Sequence, residues 1–219
     1  MKMKLLLTAI FACVTLTAQA AEKDSLPKVL MIGDSISIGY QKPLVALMKG
    51  KAVVTHNQGN AAHSANGLAN LDKWLGDTKW DVIHFNHGLH DLKYVDKAGK
   101  NSTSKETGHM QIPIDQYEKN MNAIVVRLKK TGAKLIFATT TPYPDKPGGP
   151  LREAKQAAIY NQAALKVMKK HDVAVNNLHD FVLPQLEKLQ RPMNVHFSPE
   201  GSAVLAKEVA KHIEKALAE

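Results

Sequence analysis

The 219-residue sequence contains a single cysteine, Cys13, and it lies inside an N-terminal apolar stretch. The rest of the chain therefore has no thiol for a disulfide, a cysteine-ligated metal or a cysteine nucleophile. Aromatic residues are scarce, at 5%, and no nucleic-acid-binding motif is present, so nucleic acid is not an expected partner. Beyond the N-terminal stretch no apolar run is long enough to span a bilayer. Acidic residues are outnumbered, 20 Asp and Glu against 29 Lys and Arg, for a formal net charge of +9. The cations are spread over helical patterns rather than clustered, which reads as a solvated surface. Its field still favours anionic partners such as acidic glycans.

What is present begins with a leader. Lys2 and Lys4 precede an apolar run from Leu5 to Leu16, and Ala18-Gln19-Ala20 forms a small-x-small site. This is the pattern of a secretory signal peptide over residues 1–20, cleaved after Ala20. A lipoprotein signal ending at Cys13 fits less well, because Phe11 is bulky and further apolar residues follow. Residues 21–219 then form a single domain, expected in the periplasm or secreted, with no stable membrane insertion once the leader is removed.

Short apolar runs alternate with amphipathic stretches along this domain. Strands are predicted at 29–32, 52–55, 81–85, 133–138 and 173–175, and helices near 41–49, 66–76, 115–131, 151–170, 181–189 and 199–218. Such alternation implies an α/β fold with a parallel sheet covered by helices on both faces. Two loops, 93–113 and 142–150, follow predicted strands. They are expected at the carboxyl edge of the sheet, where such sheets place their ligands.

Ile32-Gly33-Asp34-Ser35-Ile36-Ser37 stands where the first strand ends. Gly33 permits a tight turn that exposes Ser35, and a serine needs a nearby base to become a nucleophile. The alternative is a Ser or Asp that only caps the next helix. At the other end of the chain, His196-Phe197-Ser198-Pro199-Glu200-Gly201 precedes the last helix, with Ser198 as N-cap and Pro199 at its first position. His196 is the candidate base.

Together with Asn57-Gln58-Gly59-Asn60 after the second strand and Gly88-Leu89-His90-Asp91 after the third, these blocks resemble the four ordered blocks of SGNH (GDSL-type) hydrolases. The resemblance implies a three-layer flavodoxin-like sandwich with a parallel sheet of about five strands. It also implies cofactor-free ester hydrolysis through an acyl-enzyme. By the same resemblance Ser35 is the nucleophile and His196 the base. The oxyanion hole is assigned to the backbone N–H groups of Ser35 and Gly59, with a side chain from the third block.

Two departures from the family pattern stand out. His90 occupies the place of the usual Asn; a neutral imidazole can donate one N–H, so His90 is assigned to the oxyanion hole, with the sugar pocket as the alternative. Met193 occupies the place of the usual Asp, three residues before the histidine, and cannot orient it. Asn194 or a backbone carbonyl near Met193 is expected to do so, giving a Ser–His dyad with a neutral third group. Asp180 is read as a helix cap. His84, His87 and His90 raise the possibility of a metal site, but the period of a strand sends His84 and His87 to opposite faces. No metal is assigned: His84 reads as a core histidine, and His87 and Arg152 as substrate-binding candidates. Trp74 reads as core. The expected substrate is a small acyl ester or acylated glycan, with acetyl favoured. Lipid or thioester hydrolysis and a non-catalytic glycan-binding domain are the alternatives.

Overall fold

The computed structural model describes residues 25–145 and 147–219, so the leader assigned to residues 1–20 lies outside the described residues. Its strands are β1 (Lys28–Ile32), β2 (Val53–His56), β3 (Val82–Phe85), β4 (Tyr94–Val95), β5 (His109–Met110), β6 (Lys134–Ala138) and β7 (Ala174–Asn176). Its helices are α1 (Ser35–Leu47), α2 (Ser64–Leu75), α3 (Ile114–Lys129), α4 (Ala154–Lys170), α5 (Leu178–Val182), α6 (Leu186–Leu189) and α7 (Pro199–Ala218). Five strands form one parallel sheet in the order β2-β1-β3-β6-β7. Counting only these five, the order is the doubly wound 2-1-3-4-5, which reverses direction between β1 and β3.

The apolar runs make this sheet because both of its faces are covered. In β1, Leu30 and Ile32 join an apolar cluster with residues of α2, α3 and α4, including Leu71, Ile124 and Val167. Val29 and Met31 point the other way, into a cluster with Leu44 of α1 and Leu205, Val209 and Ile213 of α7. The two clusters are the two inter-layer cores of a three-layer α/β sandwich. Trp80 is buried in the first, with its indole N–H donating to the Leu75 carbonyl at 2.9 Å, and Trp74 packs against the same cluster.

The structure departs from the sequence reading at three places. Helix α1 begins at Ser35, six residues before the predicted start. Asp34 caps it by accepting the Ile36 N–H at 2.9 Å, and small polar residues in the first two turns hide the helical period. The 93–113 loop carries the antiparallel pair β4–β5, whose two-residue strands are too short to show a period. The helix predicted over 181–189 is split into α5, a 3₁₀ turn at Leu183–Gln185 that holds Pro184, and α6. Asn177, not Asp180, caps α5: its side chain accepts the Asp180 N–H, while Asp180 hydrogen-bonds to Asn177 and His179.

The last helix controls where the C-terminal block lies. Ser198 caps α7 by accepting the Gly201 N–H at 2.9 Å, with Pro199 at the first position. Gly201 is packed against the Leu189 backbone, so a Cβ there would be driven into the Leu189 carbonyl. That carbonyl also accepts the Ser198 N–H at 2.9 Å. Gly201→Ala is therefore expected to lower the unfolding free energy by about 1–3 kcal/mol, read from urea denaturation midpoints. At Gly39 in α1, a new Cβ would meet only Ser202 Oγ, at an ordinary 3.6 Å. Gly39→Ala is expected to leave stability unchanged or raise it by up to about 1 kcal/mol. Equal losses in the two variants would contradict this packing.

Candidate active site

The turn after β1 and the turn after β3 meet at the switch point of the sheet, where open α/β folds bind ligands. Gly33 follows β1 without a positive φ, so its role differs from the expected one. A Cβ at Gly33 would lie 2.5 Å from Ser37 Oγ, and only glycine lets α1 start this close to the strand. The turn is then clamped from β2. The Gly33 N–H donates to Asn57 Oδ1 at 2.8 Å, and the Gly33 carbonyl accepts from the Ala61 N–H at 3.0 Å. Ser37 Oγ lies 2.8 Å from the Asp34 carbonyl and 2.7 Å from His56 Nε2. That second serine–histidine pair is buried at Ser37 and ties the end of β2 to the first turn of α1.

Ser35 is the first residue of α1, so its own N–H has no partner within the helix. Its side chain faces the C-terminal block: Ser35 Oγ lies 2.8 Å from His196 Nε2. His196 Nδ1 lies 2.8 Å from Asn194 Oδ1, which also accepts the His196 backbone N–H at 3.0 Å. An amide oxygen is only an acceptor, so Nδ1 carries the proton and Nε2 is left free to take the one from Ser35. The open alternative is thereby resolved geometrically, with Asn194 in contact and the Met193 carbonyl occupied by the Gly148 N–H at 2.8 Å. Met193 itself is exposed, with a positive φ of 50°.

The predicted loops support this arrangement. Gly148 of the proline-rich 142–150 loop holds Met193, and Gln190 Nε2 donates to the carbonyls of Pro142 and Val195, each at 3.0 Å. Arg191 donates its backbone N–H to the His196 carbonyl at 2.9 Å and its Nε to the Phe197 carbonyl at 3.1 Å. Arg191 went unnoticed in the sequence because nothing local marks it; it reaches the histidine through the bridge between Gln190 and Phe197.

Gly59 sits in the turn after β2 with φ +74°, a left-handed conformation that favours glycine, and its N–H makes no hydrogen bond among the described residues. The free N–H groups of Ser35 and Gly59 lie on the two turns joined by the bonds from Asn57 and Ala61. His90, in the turn after β3, is half-buried and also makes no hydrogen bond among the described residues. Burial, together with the nearby charges of Lys93 and Arg152, pushes its pKa down to about 3, so its ring is neutral and keeps one N–H to donate. Asp91 beside it is fully buried and accepts from the Ser64 N–H at 2.8 Å, anchoring a carboxylate at the start of α2. It is a structural group, with its pKa raised by burial to about 7.

Two assignments need correction. His87 is only 1% exposed; its ring fills the space left by the missing Cβ of Gly67, with Nδ1 3.3 Å from the Ala62 carbonyl. It cannot touch substrate from there. Arg152 is 5% exposed and its Nε donates to the Leu89 carbonyl at 3.0 Å. It acts on the site through its charge, which bears on Asp34, His90 and His196. His84 is buried as expected, on the opposite face from His87, with Nε2 3.3 Å from Asn176 Nδ2. The three histidines do not converge.

A 2-1-3-4-5 parallel sheet with a serine and a histidine joined at its switch point has the architecture of an SGNH hydrolase. The chain belongs to the GDSL-like lipase/acylhydrolase family, whose pattern matches residues 31–204. It is thus an ester hydrolase of the acylhydrolase class. Among solved structures, it resembles a lipase/acylhydrolase from Enterococcus faecalis at 18% identity and a TM-score of 0.70, over 87% of this chain and 96% of that one. It also resembles the acetyl xylan esterase AlAXEase, at 18% identity and TM-score 0.66 over 85% and 99% of the two chains. The acetylxylan esterase Axe2 from Geobacillus stearothermophilus matches at 18% identity and TM-score 0.68, over 86% and 94%. No curated protein sequence matches the chain.

The electrostatics of His196 have a direct kinetic consequence. Partial burial, then the charges of Arg191 and Arg152, hold its pKa below the ordinary histidine value. A base must be neutral, so a lowered pKa extends activity towards acid. The acid limb of kcat/KM against pH is expected below pH 6.5. Asn194→Asp places a carboxylate on Nδ1 and is expected to move that limb to higher pH. Asn194→Ala is expected to lose about 10- to 100-fold in kcat without the shift. An unmoved limb in Asn194→Asp would contradict the contact between Asn194 and His196.

Proposed function

We propose that this acylhydrolase is an exported serine esterase that removes short acyl groups, acetyl foremost, from carbohydrate. The observation that carries the reading is the continuous relay from Ser35 Oγ through His196 to Asn194 Oδ1, with 2.8 Å at each step. In the first half-reaction, Ser35 Oγ bonds to the ester carbonyl carbon while His196 Nε2 takes the hydroxyl proton. The carbonyl oxygen becomes an oxyanion, for which the Ser35 and Gly59 N–H groups and His90 are the assigned donors. Collapse breaks the bond to the alcohol oxygen, which leaves with the proton from His196. Water then attacks the acyl-enzyme by the same route and releases the acid. The N-terminus of α1 points its positive end at the reacting centre, which favours the oxyanion.

Export is supported by the leader pattern of residues 1–20. A carbohydrate acetyl ester is supported by two of the structural neighbours, which are acetyl xylan esterases. It is supported also by the cleft of about 390 Å³ beside Ser35 and His196, whose lining mixes polar and charged residues with apolar ones. A binding domain without catalysis has no use for an aligned and oriented histidine at hydrogen-bond distance from a serine.

The test is hydrolysis of p-nitrophenyl acetate and butyrate by the mature protein beside Ser35→Ala and His196→Ala. Turnover favouring acetate is expected in the wild type, with kcat reduced at least about 1000-fold in both variants. A chelator is expected to leave the rate unchanged. Full activity in Ser35→Ala would overturn the mechanism, and a preference for longer acyl chains would move the substrate towards lipids.

A further inference from the structure

The cleft beside Ser35 and His196 is chemically uneven. Ile38, Pro43, Phe197 and Pro199 give it apolar walls, while Lys42 and Arg191 supply two cations, and no carboxylate among the described residues lines it. Lys42 lies seven residues after Ser35 on α1, which places both on one face of the helix, roughly 10 Å apart along its axis. Lys42 is exposed and has no hydrogen bond or ion pair among the described residues. Arg191 spends only its Nε on Phe197, so its terminal nitrogens make no hydrogen bond among the described residues. Some surface cations elsewhere in the chain sit beside carboxylates, Lys51 with Glu214, Lys105 with Glu153 and Arg127 with Asp72, whereas the two in this cleft have no carboxylate between them among the described residues. Behind the site Arg152 and Lys93 add further positive charge. The carboxylates nearby, Asp34 and Asp91, are buried and already engaged in capping α1 and anchoring α2.

We infer that the cleft selects an ester carried on an anionic sugar, with Arg191 meeting the negative group nearest the scissile bond and Lys42 meeting one farther along the chain. The inference rests on the carbohydrate-esterase reading and names its substrate class: an acylated glycan bearing carboxylate or sulfate groups. Charges of one sign in a cleft with apolar walls concentrate the field, so unpaired cations there attract an anion more strongly than scattered surface lysines do. The exposed Ile38 and Pro199 offer apolar contact area to the less polar faces of the sugar rings.

The experiment compares kcat/KM of the mature protein on O-acetylated oligogalacturonide, on O-acetylated sulfated oligosaccharide and on O-acetylated xylo-oligosaccharide, each matched in length. One or both anionic substrates are expected to be preferred through a lower KM, and the preference is expected to shrink as salt is raised. Which anionic arm wins separates carboxylate from sulfate. Lys42→Gln is expected to reduce the anionic-to-neutral ratio about threefold to tenfold, and Lys42→Glu to reduce it further. Arg191→Gln is expected to reduce it as well.

A second measurement separates failure of this inference from failure of the esterase reading. Calorimetric binding of unacetylated oligogalacturonate, of sulfated oligosaccharide and of neutral xylo-oligosaccharide to Ser35→Ala needs no turnover. Salt-sensitive binding of an anionic glycan, weakened by Lys42→Gln, supports the inference even if no ester is cleaved. Equal use and equal binding of neutral and anionic glycans would overturn it while leaving the esterase intact. A preference for lysophosphatidylglycerol over every glycan would overturn it in favour of an anionic lipid.

Discussion

The hydrogen bond between Ser35 Oγ and His196 Nε2 joins residues 161 positions apart, and most of the surrounding structure serves to bring them together. The serine end is set by a strand that stops, a glycine that lets Ser37 approach, and an aspartate that caps α1 at once. The histidine end is set by a loop whose carbonyls accept from Gly148, Gln190 and Arg191. The two ends share one support, because α1 and α7 contribute to a single apolar cluster on one face of the sheet. Burial of Leu44, Leu205, Val209 and Ile213 therefore acts on the reacting atoms as well as on stability. Each such side chain contributes on the order of 1.5–3 kcal/mol when fully removed from water.

In the proposed mechanism the histidine works without a partner charge. Asn194 orients the ring and selects its tautomer, but it cannot stabilise the imidazolium that forms when Ser35 loses its proton. The neighbourhood compounds this, since Arg191 and Arg152 disfavour a positive ring. The same cations stabilise negative charge, and the tetrahedral intermediate is negative. Positive potential around the site thus weakens the base while favouring the oxyanion and any anionic substrate. That trade is what separates this site from one built on a carboxylate–histidine pair.

Much of this was legible in the sequence because it is written in periods and in local turn chemistry. The five parallel strands announce themselves as short apolar runs, and Ser198-Pro199 marks the start of α7 to the residue. The serine and the histidine could be named because each lies in a short block with its own turn logic, and the asparagine only because the blocks resemble those of SGNH hydrolases and the usual aspartate is missing at Met193. What was not legible depends on distant contacts. The true start of α1 is hidden because its first turns carry Ser35, Ser37 and Gly39, whose small side chains serve close packing rather than a helical stripe. His87 looked accessible because it follows a strand. Only the fold shows that Gly67 of α2 opens a slot that swallows its ring. Arg191 and Lys42 carry no motif, and they enter the cleft because two helices and a bridged loop converge there.

The most direct test of the account is covalent labelling of the mature protein by a fluorophosphonate, with the modified residue located by mass spectrometry. The reagent bonds only to a serine whose proton a neighbouring base removes, so it reads the activated Ser35 without any choice of substrate. A single adduct on Ser35, abolished in His196→Ala while Ser37 stays unmodified, is the expected result. An unlabelled protein, or an adduct on Ser35 that persists undiminished without His196, would contradict the claim that these two residues act as one catalytic pair.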